Sequence, residues 1–176
     1  LGGGKGGKAD QVQVDNTAVI TTNGAKAFGV LAQSIGGGGG TGGSARNAGL
    51  KGGNRSVNVA IGGAGGEGNV GGDVIVTNRG VVVTAGEGSH AVVAQSIGGG
   101  GGLGGNSTIV EGLATDSERG TRRVSVAVGG AGGTGESAGA VTVTNYGSVG
   151  TESADAVGIF AQSIGGGGGI GGDTYK

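Results

Sequence analysis

The sequence predicts an all-β protein, a parallel β-helix or β-solenoid with coils of about 17 residues. Three observations point there. A twelve-residue phrase occurs three times, at residues 32–43, 94–105 and 161–172: Ala-Gln-Ser-Ile, five glycines, one variable residue and two more glycines. Short phrases such as Val57-Asn58-Val59 and Val141-Thr142-Val143 alternate in the manner of half-buried strands. Glycine supplies 52 of 176 residues, and the only aromatics are Phe28, Tyr146, Phe160 and Tyr175. That inventory lacks the large side chains of an ordinary globular core but suits a narrow stacked coil built from Val, Ile, Ala and Leu.

The strand phrases set the expected coil. Val57, Val74 and Ala91 begin three of them at a constant 17-residue step, and Val124, Val141 and Gly158 mark the same step in the next repeat. The columns beside them read Val59, Val76, Val93 and then Val126, Val143, Phe160. Three coils make one repeat on this reading, and about eight coils would stand roughly 40 Å tall at the ~4.8 Å strand spacing. Val57, Val59, Val74, Val76, Val93 and Ile97 are expected to point inward. The spacing of the repeats rises from 62 (Ala32 to Ala94) to 67 (Ala94 to Ala161), and the surplus falls after each glycine run. Residues 44–56 and 106–123 are therefore expected to be loop insertions on one edge. Residues 1–176 read as a single repeat array. Leu1 to Gly6 align with Gly130 to Gly135, so the array is expected to be a fragment of a longer one.

Turns come next. Asn78-Arg79-Gly80 and Asn145-Tyr146-Gly147 are turn phrases, and glycine is expected at corners that need positive φ or close approach. The glycine runs admit three forms. Extended coil faces without side chains are favoured, because the runs lie within the 17-residue register. Gly62-Gly63-Ala64-Gly65-Gly66-Glu67 also approximates a Gly-Gly-x triplet, which suits polyglycine-II-like helices of three residues per turn. Loops are the third form. Asn16, Asn78 and Asn145, with Gln33, Gln95 and Gln162, are expected to stack as structural amide ladders.

Composition excludes much. Proline is absent, so a collagen helix is excluded, and alternating Val pairs argue against disorder. The net charge of −1 gives no electrostatic case for nucleic acid. No apolar stretch approaches the ~20 residues of a membrane helix, so membrane insertion by this segment is not expected. Cysteine is absent, and the one histidine, His90, reads as an exposed turn residue without clustered ligands. No acid pair recurs, and no histidine accompanies Ser34, Ser96 and Ser163, which read as hydroxyls bonded to backbone. None of the glycine runs ends in the Lys-Ser/Thr of a phosphate loop. Gly62 to Asn69 departs from the calcium-binding nonapeptide at its carboxylate and apolar positions. No catalytic residue, metal site or cofactor is expected, and the chain reads as no enzyme.

The Ala-Gln-Ser-Ile-Gly-Gly-Gly-Gly-Gly phrase, following Val-x-Val-x-Asn at constant distance, resembles the Gly-rich repeat passenger regions of large proteobacterial autotransporter-type surface proteins. The resemblance covers essentially the whole chain. It implies secretion, display on the bacterial cell surface and an elongated β-helical stalk, adhesin or matrix role. The family carries no shared catalytic residues to transfer. Two further readings are a self-assembling extracellular fibre subunit and a phage-fibre or β-helical polysaccharide-active module. Partners would be other copies, end to end or laterally, or a host or abiotic surface. The charged insertions nominate Arg46, Lys51, Arg55, Glu111, Arg119, Arg122 and Arg123 as contact residues.

Overall fold

The Val- and Ile-rich phrases do become strands. The structure is a computed structural model, and it describes residues 1–48, 55–110 and 122–176. The strands are β1 (Val12–Asn16), β2 (Val19–Thr22), β3 (Val30–Ile35), β4 (Ala45–Ala48), β5 (Arg55–Ile61), β6 (Val74–Asn78) and β7 (Val81–Thr84). They continue as β8 (Val92–Ile97), β9 (Ser107–Val110), β10 (Arg122–Val128), β11 (Val141–Asn145), β12 (Ser148–Thr151), β13 (Ile159–Ile164) and β14 (Thr174–Tyr175). All pairing is parallel, in the sheets β1-β6-β11, β2-β7-β12, β3-β8-β13, β4-β9-β14 and β5-β10. This is a parallel β-solenoid.

Its coil is much larger than the expected 17-residue one. Val12 pairs with Val74 and Val74 with Val141, so the chain climbs one level per whole repeat, a sequence separation of 62 and then of 67. The 17-residue step separates successive strand phrases along the chain, but those phrases lie on different sides of one coil. The physical reason is that every side uses the same apolar alternation, so side follows side as coil was expected to follow coil. Only the Asn and Gln columns distinguish the sides, and they recur once per level. Three levels at ~4.8 Å place the first and third about 10 Å apart, not eight coils over about 40 Å.

Each coil has three parts. At one end β1-β6-β11, β2-β7-β12 and β3-β8-β13 form three walls around Val30, Ala32, Val74, Val76, Val82, Ala91, Val92 and Ala94. At the other end β4-β9-β14 lies against β5-β10, where Asn47 Nδ2 donates to the Val59 carbonyl at 3.1 Å and Ile109 is buried. These arm strands take in 45–48 and 55–56 of the first expected loop, 44–56, and 107–110 and 122–123 of the second, 106–123. The remaining residues, 49–54 and 111–121, lie outside the described residues, and the second segment is longer than the first by the whole difference between the repeats. Val57 and Val59, expected inside, face solvent, while Asn58 and Ala60 are buried. In β8 Val92, Ala94 and Ser96 face the core; Val93 is buried as expected, though on the other side of the strand, where Gln95 and Ile97 are half-buried.

Between prism and arm lies a lamella of glycine helices. Residues 1–9, 62–70 and 129–137 form one layer, and 36–43, 98–105 and 165–172 run antiparallel in the other. Their backbone bonds repeat every third residue. Gly36, Gly39 and Gly42 donate to Ile97, Gly100 and Leu103 of the next level in the same layer. Gly37, Gly40 and Gly43 donate to Gly7, Gly4 and Leu1 of the opposite layer. The third N–H of each turn, as at Gly38 and Thr41, takes no backbone acceptor among the described residues. Three residues per turn with no bond inside the helix is the polyglycine-II form, the glycine counterpart of polyproline II. The favoured expectation of extended faces is corrected accordingly. One interlayer ladder threads the whole stack: Gly169 to Gly133 to Gly102 to Gly66 to Gly40 to Gly4, each N–H···O between 2.7 and 2.9 Å.

Glycine serves close approach here far more than backbone freedom. A Cβ on Gly39 would fall onto the Gly66 carbonyl, whereas one on Gly38 would meet nothing nearer than the Gly100 carbonyl at 3.6 Å. At the prism corner the left-handed position is Lys26 in the first coil (φ 57°), Gly88 in the second (φ 64°) and Asp155 in the third (φ 55°). Gly88 is the one glycine with such a φ among the described residues.

Candidate interaction surfaces

The repeated polar residues lock the coils together. Asn16 Nδ2 donates to Asn78 Oδ1 at 2.8 Å, and Asn78 Nδ2 donates to Asn145 Oδ1 at 2.7 Å. Each amide also reaches across its turn, to the carbonyls of Ala18, Gly80 and Gly147. Outside, Gln33 Nε2 donates to Gln95 Oε1 at 2.5 Å and Gln95 Nε2 to Gln162 Oε1 at 3.1 Å. The serines of the repeated phrase face inward and staple β3, β8 and β13 to the chain entering the opposite wall. Ser34 Oγ donates to the Asp10 carbonyl and accepts from Gly72 N–H; Ser96 Oγ does the same with Gly72 and Gly139, and Ser163 Oγ donates to Gly139. A hydroxyl held by two backbone groups is not poised as a nucleophile.

His90 is half-buried rather than an exposed turn residue. Its ring stacks between Phe28 (centroids 5.4 Å apart, planes at 11°) and Phe160 (6.3 Å, 18°), and Nδ1 accepts from Val157 N–H at 2.9 Å. Register explains the first and last of these contacts, since Phe28, His90 and Val157 occupy the same corner position on successive levels, while Phe160 reaches the ring from the position in register with Val93. The repeat alignment contains that column, although a lone histidine in an unaligned sequence does not reveal it.

The nominated charged residues divide. Arg46 is exposed on β4, where its register partner is Thr108. Arg55 and Arg122 are register partners that open β5 and β10, with Arg123 opposite Ser56. The backbone thus brings Arg55 and Arg122 side by side at one end of the arm. Lys51, Glu111 and Arg119 lie outside the described residues.

Two broad faces differ in chemistry. On the face of the first glycine layer, Lys5 Nζ meets Glu67 at 3.1 Å and Gln13 Nε2 donates to Asp15 at 2.9 Å. Toward the arm this face carries exposed Val57, Val59, Ile61, Val124, Val126 and Val128, a ladder that the expectation of inward valines missed. The other face runs from β3, β8 and β13 across the second layer. Residues 30–43, 92–105 and 159–172 contain no charged residue in any coil. Large apolar side chains stand out from it, Leu31 at 47 %, Ile35 at 55 %, Leu103 at 47 % and Ile170 at 70 % exposed.

Two clefts among the described residues are open. A cleft of about 460 Å³ beside Lys8, Asp10, Gln11 and Asp73 is open to solvent, and another of about 380 Å³ sits over the Lys26, Gly88, Asp155 corner. Among the described residues no three His, Cys, Asp or Glu converge as metal ligands, and no helix is long and apolar enough to cross a membrane. Tyr175 Oη donates to Asp173 at 3.1 Å, and that bond, with the carboxylate charge, raises the phenol above its ordinary range. No known family, curated protein or solved structure matches the chain.

Proposed function

We propose that the protein is a secreted, cell-surface structural repeat that acts as a stalk, adhesin or matrix component and carries out no catalysis. The observation behind this reading is the like-on-like register of all five sheets and both glycine layers, a repetitive parallel scaffold whose repeated polar side chains bond to one another or to backbone. The resemblance of the repeated phrase to autotransporter passenger regions adds the bacterial surface as location. In this role length comes from the number of coils, and contact with a host or abiotic surface falls to the broad faces and the arm. Labelling intact cells of the source organism with an antibody to residues 1–176, with and without external protease, tests the location. Protease-sensitive surface signal is the expected result, and signal only after lysis would overturn it.

A second reading, a self-assembling extracellular fibre subunit, is favoured by the same register. Each level presents the columns that the next level matches, so coils of different copies fit as coils of one chain do. Electron microscopy of the purified chain separates the two: micrometre fibres support self-assembly, and single short particles reject it.

A further inference from the structure

We propose that the uncharged glycine face pairs with the same face of a second copy, with the two stacks side by side and parallel. The inference goes beyond the surface-structural reading and does not depend on where the protein resides.

The face has a relief set by the three-residue turn. Every third residue of residues 36–43 points away from the opposite layer, and the variable residue of the phrase always falls there. Ile35, Ile97 and Ile164 form one ridge, and Thr41, Leu103 and Ile170 form another. Between them Gly38, Gly100 and Gly167 form a bare stripe, where a Cβ would have room. Ridge and stripe lie about 9 Å apart at ~3.1 Å per residue, and each repeats every ~4.8 Å along the stack.

That relief is complementary to itself under one operation. A two-fold axis parallel to the stack, passing between the bare stripe and the Thr41, Leu103, Ile170 ridge, lays that ridge over the partner's stripe and sets the Ile35, Ile97, Ile164 ridge against the partner's Ser44, Asn106, Asp173 position. Leu103 then sits over the partner's Gly100, and Ile170 over the partner's Gly167. A two-fold axis along the glycine runs would instead set stripe against stripe and leave a gap. The favoured operation also repeats the antiparallel relation that the two glycine layers already have inside the molecule, continuing an existing mode of packing. An isologous contact of this kind closes as a pair.

Size and chemistry favour a second copy over another occupant. From Val30 to Ala48 over three levels the face measures about 60 Å by about 14 Å. Full overlap covers about 800 Å² per partner, the standard size of a stable interface. The middle of the overlap, residues 36–43 and their equivalents, holds no charge, exposed Leu103 and Ile170 gain a cover, and Arg46 and Asp173 fall in the polar outer parts of the contact. A surface with a stripe about 9 Å from its ridge and the same ~4.8 Å repeat along the stack is needed to match this relief, and a second copy supplies it.

The chain has no cysteine, so paired cysteines give a clean test of both association and register. A Gly100→Cys chain mixed with a Leu103→Cys chain is expected to cross-link under mild oxidation at least fivefold more than either variant alone. In sedimentation, the unmodified chain is expected to show a dimer that Leu103→Glu converts to monomer. Thr134→Glu, an exposed change on the opposite face, should keep the dimer. Circular dichroism and thermal melting of each variant confirm that the solenoid remains folded. A monomeric unmodified chain at high concentration, equal cross-linking of all cysteine combinations, or a dimer that survives Leu103→Glu would each overturn the pairing.

Discussion

Gly38 and Gly39 are neighbours in a run of five glycines, yet only one of them has to be glycine. Gly39 turns its Cα hydrogens toward the Gly66 carbonyl, while Gly38 faces outward. Gly39→Ala is expected to lower stability by about 3 kcal/mol or more, because backbone cannot yield as a side chain can. Gly38→Ala should leave stability unchanged or raise it by about 0.5 kcal/mol, since it only reduces the freedom of the unfolded chain. Urea denaturation of the two variants measures the difference. The Gly-Gly-x triplet visible at Gly62 to Glu67 already carried this information, because side chains occur where the third residue points outward. What concealed it was the five-glycine stretch, in which the outward position is also glycine and the period vanishes. The Asn and Gln columns were easier to read: an amide that both donates and accepts is useful on every level and so returns unchanged.

At the scale of elements, the strands were legible and their facing was not. Alternation identifies β5 as a strand, but Val57-Asn58-Val59-Ala60-Ile61 presents its large side chains outward and Asn58 and Ala60 inward. The arm buries Ile109 of β9 together with the smaller Asn58 and Ala60 of β5, which reverses the usual inference from hydrophobicity for β5 alone. The prism corner offers a similar inversion. Gly88 meets the steric demand of the left-handed conformation, while Lys26 and Asp155 adopt it at a cost of about 1 kcal/mol each. Lys26→Gly is therefore expected to be neutral to stabilising by up to about 1 kcal/mol, against the entropy that glycine adds to the unfolded chain. A thermal melt that falls by several degrees would contradict this account of the corner.

For the whole molecule, the decisive quantity is the coil length, and it lies in the spacing of the Asn and Gln columns rather than in that of the valines. Val recurs at the 17-residue step because each side of the coil needs a strand, whereas Asn-on-Asn and Gln-on-Gln contacts recur only once per turn of the solenoid. The result is a coil wide in cross-section and only one strand thick along its axis. The glycine lamella gives this architecture an observable signature in amide hydrogen exchange. Along one run the three N–H groups of each turn have three different fates: Gly66 bonds into the opposite layer, Gly65 bonds to the next level, and Glu67 has no backbone acceptor among the described residues. Exchange read residue by residue is expected to rise and fall with a period of three, slowest at Gly66 and fastest at Glu67. Neither the two-residue rhythm of a strand nor the uniform fast exchange of a loop would produce such a comb. The spectrum would then count the turns of each glycine helix directly.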